Sequence, residues 1–73
     1  MDAQTTDITI KAFLQQIRGR LEQAAGVAKT AEAWAEAGNI AKAVEIALDI
    51  EESIYEANTL LNAASLVNRI GER

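Results

Sequence analysis

The sequence predicts an all-α protein in which two long antiparallel helices form a hairpin, at about residues 7–37 and 40–70. Two such hairpins are predicted to pair into a dimeric four-helix bundle. Proline is absent and alanine is abundant, so the local preference is helical nearly throughout. Apolar residues recur at alternating spacings of four and three in both halves of the chain. The halves mirror each other about Gly38 and Asn39, in pairs of positions whose residue numbers sum to 78.

The first helix is predicted to begin at Thr6 or Asp7, either of which can act as its N-cap. Residues 1–6 would then form a flexible N-terminus. Gly19 and Gly26 each cost about 1 kcal/mol relative to alanine inside a helix, and a break near Gly26 would give three helices. The apolar spacing continues through both glycines without a shift, which favours one continuous helix.

The turn and the second helix have their own signals. Gly38 falls where a left-handed residue is favoured after a helix, and Asn39 can cap the helix that follows. Gly71 is predicted to close the second helix, with Arg69 placed favourably in its last turn. Each helix would be about 45 Å long at 1.5 Å per residue, a length typical of coiled coils.

Heptad letters define two rows of residues that are predicted to pack between the helices, the a row and the d row. Their pairing sets large residues against small ones, as in Leu21 against Ala57 and Ala24 against Ile54, which fills space evenly. The a row consists of Leu14, Leu21, Ala28, Ala35, Ile40, Ala47, Ile54 and Leu61. The d row consists of Ile10, Ile17, Ala24, Ala31, Ala43, Ile50, Ala57 and Ala64.

A third row, the g row, flanks this contact and is mostly apolar. Each of its apolar side chains contributes roughly 1.5–3 kcal/mol when buried, so leaving all of them in water would be unfavourable. We therefore predict that a second copy packs on the g row. Two alternatives are a different protein partner, or a monomer in which these residues cover the hairpin's own contact. The predicted interface residues are Phe13, Val27, Trp34, Ile46, Leu60 and Val67.

The composition leaves few routes to catalysis. The chain has no Cys and no His, which removes disulfides, thiolate ligands and the commonest general base. No acid occupies the a or d row, and the glycines form no phosphate-binding pattern. An acidic ridge could ligate a hard cation, but it is predicted to be a solvated face. We expect no enzyme activity and no catalytic, cofactor-binding or metal-binding residues. The ridge consists of Glu45, Asp49, Glu52 and Glu56.

Charge and hydropathy restrict the partners. The net charge of −4 argues against nucleic-acid binding, for which Lys11, Arg18 and Arg20 give the only support. No apolar run approaches the roughly 20 residues needed to cross a bilayer, and the acidic N-terminus is unlike a signal peptide. The sequence thus predicts one domain over residues 1–73, soluble and cytoplasmic, that associates with a second copy or with another protein.

The segment from Val27 to Ile50 resembles a tetratricopeptide repeat. Small, aromatic, glycine and packing residues stand where that family favours them, and a partial second copy follows 33 residues later. The resemblance implies a concave peptide-binding groove. The chain departs from the family in lacking the proline at the end of the repeat and in holding fewer than two repeats. The matching residues are Ala31, Trp34, Gly38, Ala43 and Ala47, then Ala64, Val67 and Gly71.

The leading functional prediction is a non-enzymatic, self-associating helical protein that acts as a scaffold, an adaptor or a regulator of protein interactions. The alternative is a binding module, tetratricopeptide-like or of the chaperone or antitoxin type, that receives a partner helix on its apolar stripe.

Overall fold

The computed structural model describes residues 3–71, which form three α-helices: α1 at Ala3–Glu36, α2 at Ile40–Ala47 and α3 at Ile50–Gly71. α1 packs against both of the later helices, and the whole is a rod about 55 Å long. The all-α prediction is confirmed. α2 and α3 together occupy the place of the predicted second helix and form one bent helix.

The start of α1 differs from the prediction. The helix begins at Ala3, four residues before Asp7, so residues 3–6, which the sequence assigns to the segment before the helix, are helical. Thr6 is buried, and this tertiary contact stabilises an early turn that the N-cap signal alone does not predict. Met1 and Asp2 lie outside the described residues.

The interior of α1 agrees with the prediction. The helix continues through Gly19 and Gly26 without a break. A Cβ atom added at either glycine would meet no atom within 4 Å, so both face open space in the single chain.

The turn after α1 is a Schellman motif. Gly38 has a φ of 94°, the Asn39 N–H donates to the Trp34 carbonyl at 3.0 Å, and the Gly38 N–H donates to the Ala35 carbonyl at 3.0 Å. Asn39 also caps α2, because its side-chain oxygen accepts a hydrogen bond from the Lys42 N–H at 3.1 Å. The roles predicted for Gly38 and Asn39 are both confirmed.

The predicted helix at 40–70 is interrupted at Leu48 and Asp49. Here the Asp49 N–H donates to the Ile46 carbonyl at 3.1 Å, and the Glu51 N–H donates to the Leu48 carbonyl at 3.2 Å. These bonds span three residues where an α-helix spans four, so the chain tightens locally and the helix bends. The prediction of one uninterrupted second helix is wrong at this point.

The interior of the described chain is built from small residues. Its buried apolar residues are all alanines, joined by the polar Thr6 and Ser53, and no large side chain between residues 3 and 71 is fully buried. All eight members of the d row are buried or half-buried, as predicted. The buried alanines are Ala24, Ala31, Ala43, Ala57 and Ala64.

The partner of the d row between the helices is the g row, whereas the sequence predicts the a row. Every g-row residue except Trp34 is buried or half-buried, and the large a-row residues are exposed. The g row consists of Phe13, Arg20, Val27, Trp34, Ile46, Ser53, Leu60 and Val67. The g, d and a rows are adjacent around each helix, and a contact between two helices covers about two such rows. Each g position of the heptad directly precedes an a position in the sequence, so the residue numbers that pair between the helices now sum to one less. A Cβ on Gly71 would lie 2.7 Å from Thr6 Cγ2, in a pair whose numbers sum to 77 and not 78.

Candidate interaction surface

The six residues predicted as an interface lie on the side of each helix that faces the rest of the chain. Five of them are half-buried, and Trp34 at the turn end is 40% exposed. In the single chain they therefore line the contact between α1 and the later helices. Their contact with a second copy stays a prediction. The half-buried five are Phe13, Val27, Ile46, Leu60 and Val67.

The a row supplies an exposed apolar face in their place. Its five large side chains are all at least half exposed, and its three alanines complete the same rows toward the turn on α1 and between Ile40 and Ile54 on the later helices. Residues seven apart on a helix share one side, so the row is continuous along α1 and along the later helices. The five large residues are Leu14 (52%), Leu21 (50%), Ile40 (61%), Ile54 (54%) and Leu61 (54%).

Full burial of this face would be favourable. A Leu or Ile side chain contributes roughly 1.5–3 kcal/mol on complete burial, so one already half-buried still has on the order of 1 kcal/mol to gain. Five such residues amount to several kcal/mol for a chain whose own interior is alanine. An exposed apolar face of this extent is typical of an association surface.

The positions that border the a row on its outer side are named the e row, and four of the eight are charged. The e row consists of Lys11, Arg18, Ala25, Glu32, Val44, Glu51, Asn58 and Ser65. On α1 the e row carries bases in its first half and an acid near the turn. All four α1 members, and Glu51 on α3, are exposed. The α1 members are Lys11, Arg18, Ala25 and Glu32.

One ion pair links α1 to α3. Arg20 Nε lies 3.1 Å from Glu56 Oε2, and both side chains are partly exposed. The contact is electrostatic, since Arg20 Nε forms no hydrogen bond. A pair of this kind stabilises by about 0.2–1 kcal/mol.

The acidic ridge does not form a metal-binding group in the structure. Glu45, Asp49 and Glu52 are exposed, and Glu56 is engaged with Arg20. Across residues 3–71, no group of three or more acidic side chains lies close enough to hold a metal ion.

The exposed Trp34 borders an open depression on the outer side of α1. All the residues that line it belong to α1 or to the turn, so it is not a groove between repeated helix pairs. The concave groove implied by the tetratricopeptide resemblance therefore has no counterpart at this position. The other lining residues are Lys29, Thr30, Ala33 and Ala37.

The chain matches no protein family, no curated protein and no solved structure. Within residues 3–71, no helix combines the length and the apolar character required to cross a membrane.

Sequence reasoning missed the exposed a row because it placed that row inside the hairpin. The apolar spacing of the sequence nevertheless contains a signal for this exposed face. Pairing the d row with the g row also sets large residues against small ones, as in Phe13 against Ala64 and Trp34 against Ala43. Pairing the d row with the a row and pairing it with the g row thus fill space equally well. The first pairing leaves the g row exposed, and the second leaves the a row exposed.

Proposed function

We propose that the chain folds as an antiparallel helical hairpin whose a row binds a second copy, giving a dimeric four-helix bundle. In this proposal the protein is non-enzymatic and cytoplasmic, and acts as a scaffold, an adaptor or a regulator of protein interactions. The antiparallel arrangement is supported by two contacts. The end of α3 approaches the start of α1 at Gly71 and Thr6, and Glu56 pairs with Arg20 near the middle of each.

One observation carries the proposal: the apolar residues buried in the described chain are alanines, while five Leu and Ile residues share one exposed face. A domain of this size has a marginal core and usually needs an additional source of stability. The chain has no Cys and no His with which to form disulfides or common metal sites. Association through the a row supplies the missing burial.

Charge substitution on the a row tests the proposal. Leu21→Glu combined with Ile54→Glu places two carboxylates on each copy's proposed interface, and both positions are at least half exposed in the single chain. We expect sedimentation equilibrium to give the mass of one chain for this variant and circular dichroism to show that its helices persist. Burying these unpaired charges in a dimer would cost several kcal/mol.

A matched control carries the same added charge on the opposite side of the helices. Ala33→Glu combined with Leu66→Glu changes two exposed positions away from the a row. We expect this control to remain dimeric. If the Leu21 and Ile54 variant also remains dimeric, the a row is not the interface, and the g row predicted from sequence becomes the candidate.

A second candidate function is favoured by the same exposed face. A helix from another protein, with its own row of Leu and Ile, could lie along the a row in the manner of helix-in-groove recognition. A stably folded monomer of the unaltered chain would favour this binding-module function over self-association.

A further inference from the structure

We infer that the second copy lies on the a row with its turn at the opposite end, so that α1 packs against α1 of the second copy. This inference rests on the proposed self-association and adds its orientation. Two hairpins stacked face to face can be related by a two-fold axis in either of two directions. One sets both turns at the same end, and the other sets them at opposite ends.

The distribution of side-chain volume on the a row favours opposite ends. On α1 the two large a-row residues lie away from the turn and the two alanines lie toward it, and on the later helices Ile54 and Leu61 lie away from the turn while Ile40 stands beside it. Turns at the same end would stack Leu14 on Leu61 and Leu21 on Ile54 in one half and Ala28 on Ala47 in the other, with Ile40 on Ala35 beside the turn, which leaves the helix spacing uneven. Turns at opposite ends set Leu21 against Ala28 of the second copy and Ile54 against its Ala47, so that large residues meet small ones through the middle of the interface, and Ile40 meets Leu61 at the ends of the later helices.

Charge along the e row favours the same orientation. In an antiparallel α1 pair, Arg18 faces Glu32 of the second copy, and symmetry repeats this attraction on the other side. Ala25 meets Ala25 of the second copy at the axis, where small residues allow close approach. With the turns at the same end, Arg18 instead faces the neutral Asn58, and Glu32 faces Val44.

One contact opposes the arrangement. Glu51, on the e row of α3, faces Glu51 of the second copy near the two-fold axis. The side chain is exposed, so the repulsion is screened by solvent and small. Two attractive pairs of the same exposed kind outweigh it.

The available area is sufficient for a specific dimer. The a row spans about 21 residues of α1, or roughly 30 Å, and two adjacent helices are about 20 Å wide. The face therefore measures on the order of 600 Å² per copy, at the lower end of standard protein interfaces.

Single cysteines test the orientation cleanly, because the chain has none of its own. Ala25→Cys and Glu51→Cys each place one thiol close to its own symmetry mate when the turns lie at opposite ends. Under mild oxidation we expect each variant to form a disulfide-linked dimer about tenfold faster than Ala33→Cys, a control on the outer face of α1. Non-reducing electrophoresis measures the rates, and sedimentation of the reduced proteins reports association separately.

The alternative orientation gives a different pattern of disulfide cross-linking. With the turns at the same end, Ala25 faces Glu51 of the second copy, so neither variant would cross-link alone but their mixture would. That outcome overturns the orientation and leaves the proposed dimer intact. Reduced variants that sediment with the mass of one chain would overturn the proposed self-association as well.

Discussion

At the residue scale, glycine has opposite roles at two positions of this chain. Gly38 has a φ of 94°, which residues with a Cβ adopt only with strain, so the turn requires a residue that has no side chain. Gly26 lies inside α1, where a Cβ would meet nothing within 4 Å, and it only weakens the helix. The sequence predicts the role of Gly38 from its place between two periodic segments. It does not reveal that the space beside Gly26 is open.

These two glycines give a matched pair of substitutions. Gly38→Ala should lower the free energy of unfolding by about 1 kcal/mol, because alanine is strained at positive φ. Gly26→Ala should raise it by a similar amount, about 1 kcal/mol, because alanine favours the helix. Urea unfolding followed by circular dichroism at one protein concentration measures both. A loss of stability in Gly26→Ala would mean that another chain packs closely on that face of α1.

At the scale of elements, the sequence predicts the helices better than their rotation about their own axes. Periodicity identifies the helical segments, the turn at Gly38 and the buried d row, since these depend on local propensity and on one repeating pattern. Rotation depends on which neighbouring row joins the d row. Phe13 against Ala64 is as well matched in volume as Leu21 against Ala57, so volume alone does not distinguish the g row from the a row. No Gly or Pro occurs near the bend at Leu48 and Asp49, so the sequence contains no local signal that predicts it.

The contact between the ends of α1 and α3 tests the observed register. A methyl group on Gly71 would lie 2.7 Å from Thr6 Cγ2 and 2.9 Å from its Oγ1. Gly71→Ala should therefore lower the free energy of unfolding, by about 1–3 kcal/mol for an overpacked contact.

Adding Thr6→Ala removes both close atoms, so Gly71→Ala should cost less in that background than in the unaltered chain. A double-mutant cycle measured by urea unfolding gives the difference. Equal costs in the two backgrounds would show that these residues do not meet, and the register that pairs them would be wrong.

At the scale of the whole molecule, one copy of the chain leaves an apolar row exposed. Three adjacent rows are mostly apolar, a contact between two helices covers two of them, and the third remains exposed with five Leu and Ile residues at least half accessible. The sequence predicts that some apolar row is left over and that a second chain covers it. The sequence predicts that the exposed row is the g row, whereas the structure leaves the a row exposed.

The proposed dimerisation through the a row would couple the stability of the protein to its concentration. A chain that folds most stably as a dimer unfolds at a temperature that rises with protein concentration. The variant with Leu21→Glu and Ile54→Glu should lose this dependence, and the outer-face control with Ala33→Glu and Leu66→Glu should keep it. Thermal unfolding followed by circular dichroism over a hundredfold range of concentration, about 1 to 100 μM, measures it.

The most direct test of self-association is the mass of the unaltered chain in solution. Sedimentation equilibrium at micromolar concentrations should give twice the 7.9 kDa of one chain, with helical content retained by circular dichroism. A folded species of 7.9 kDa throughout that range would contradict the account, because the exposed a row would then remain in water without a second copy to cover it.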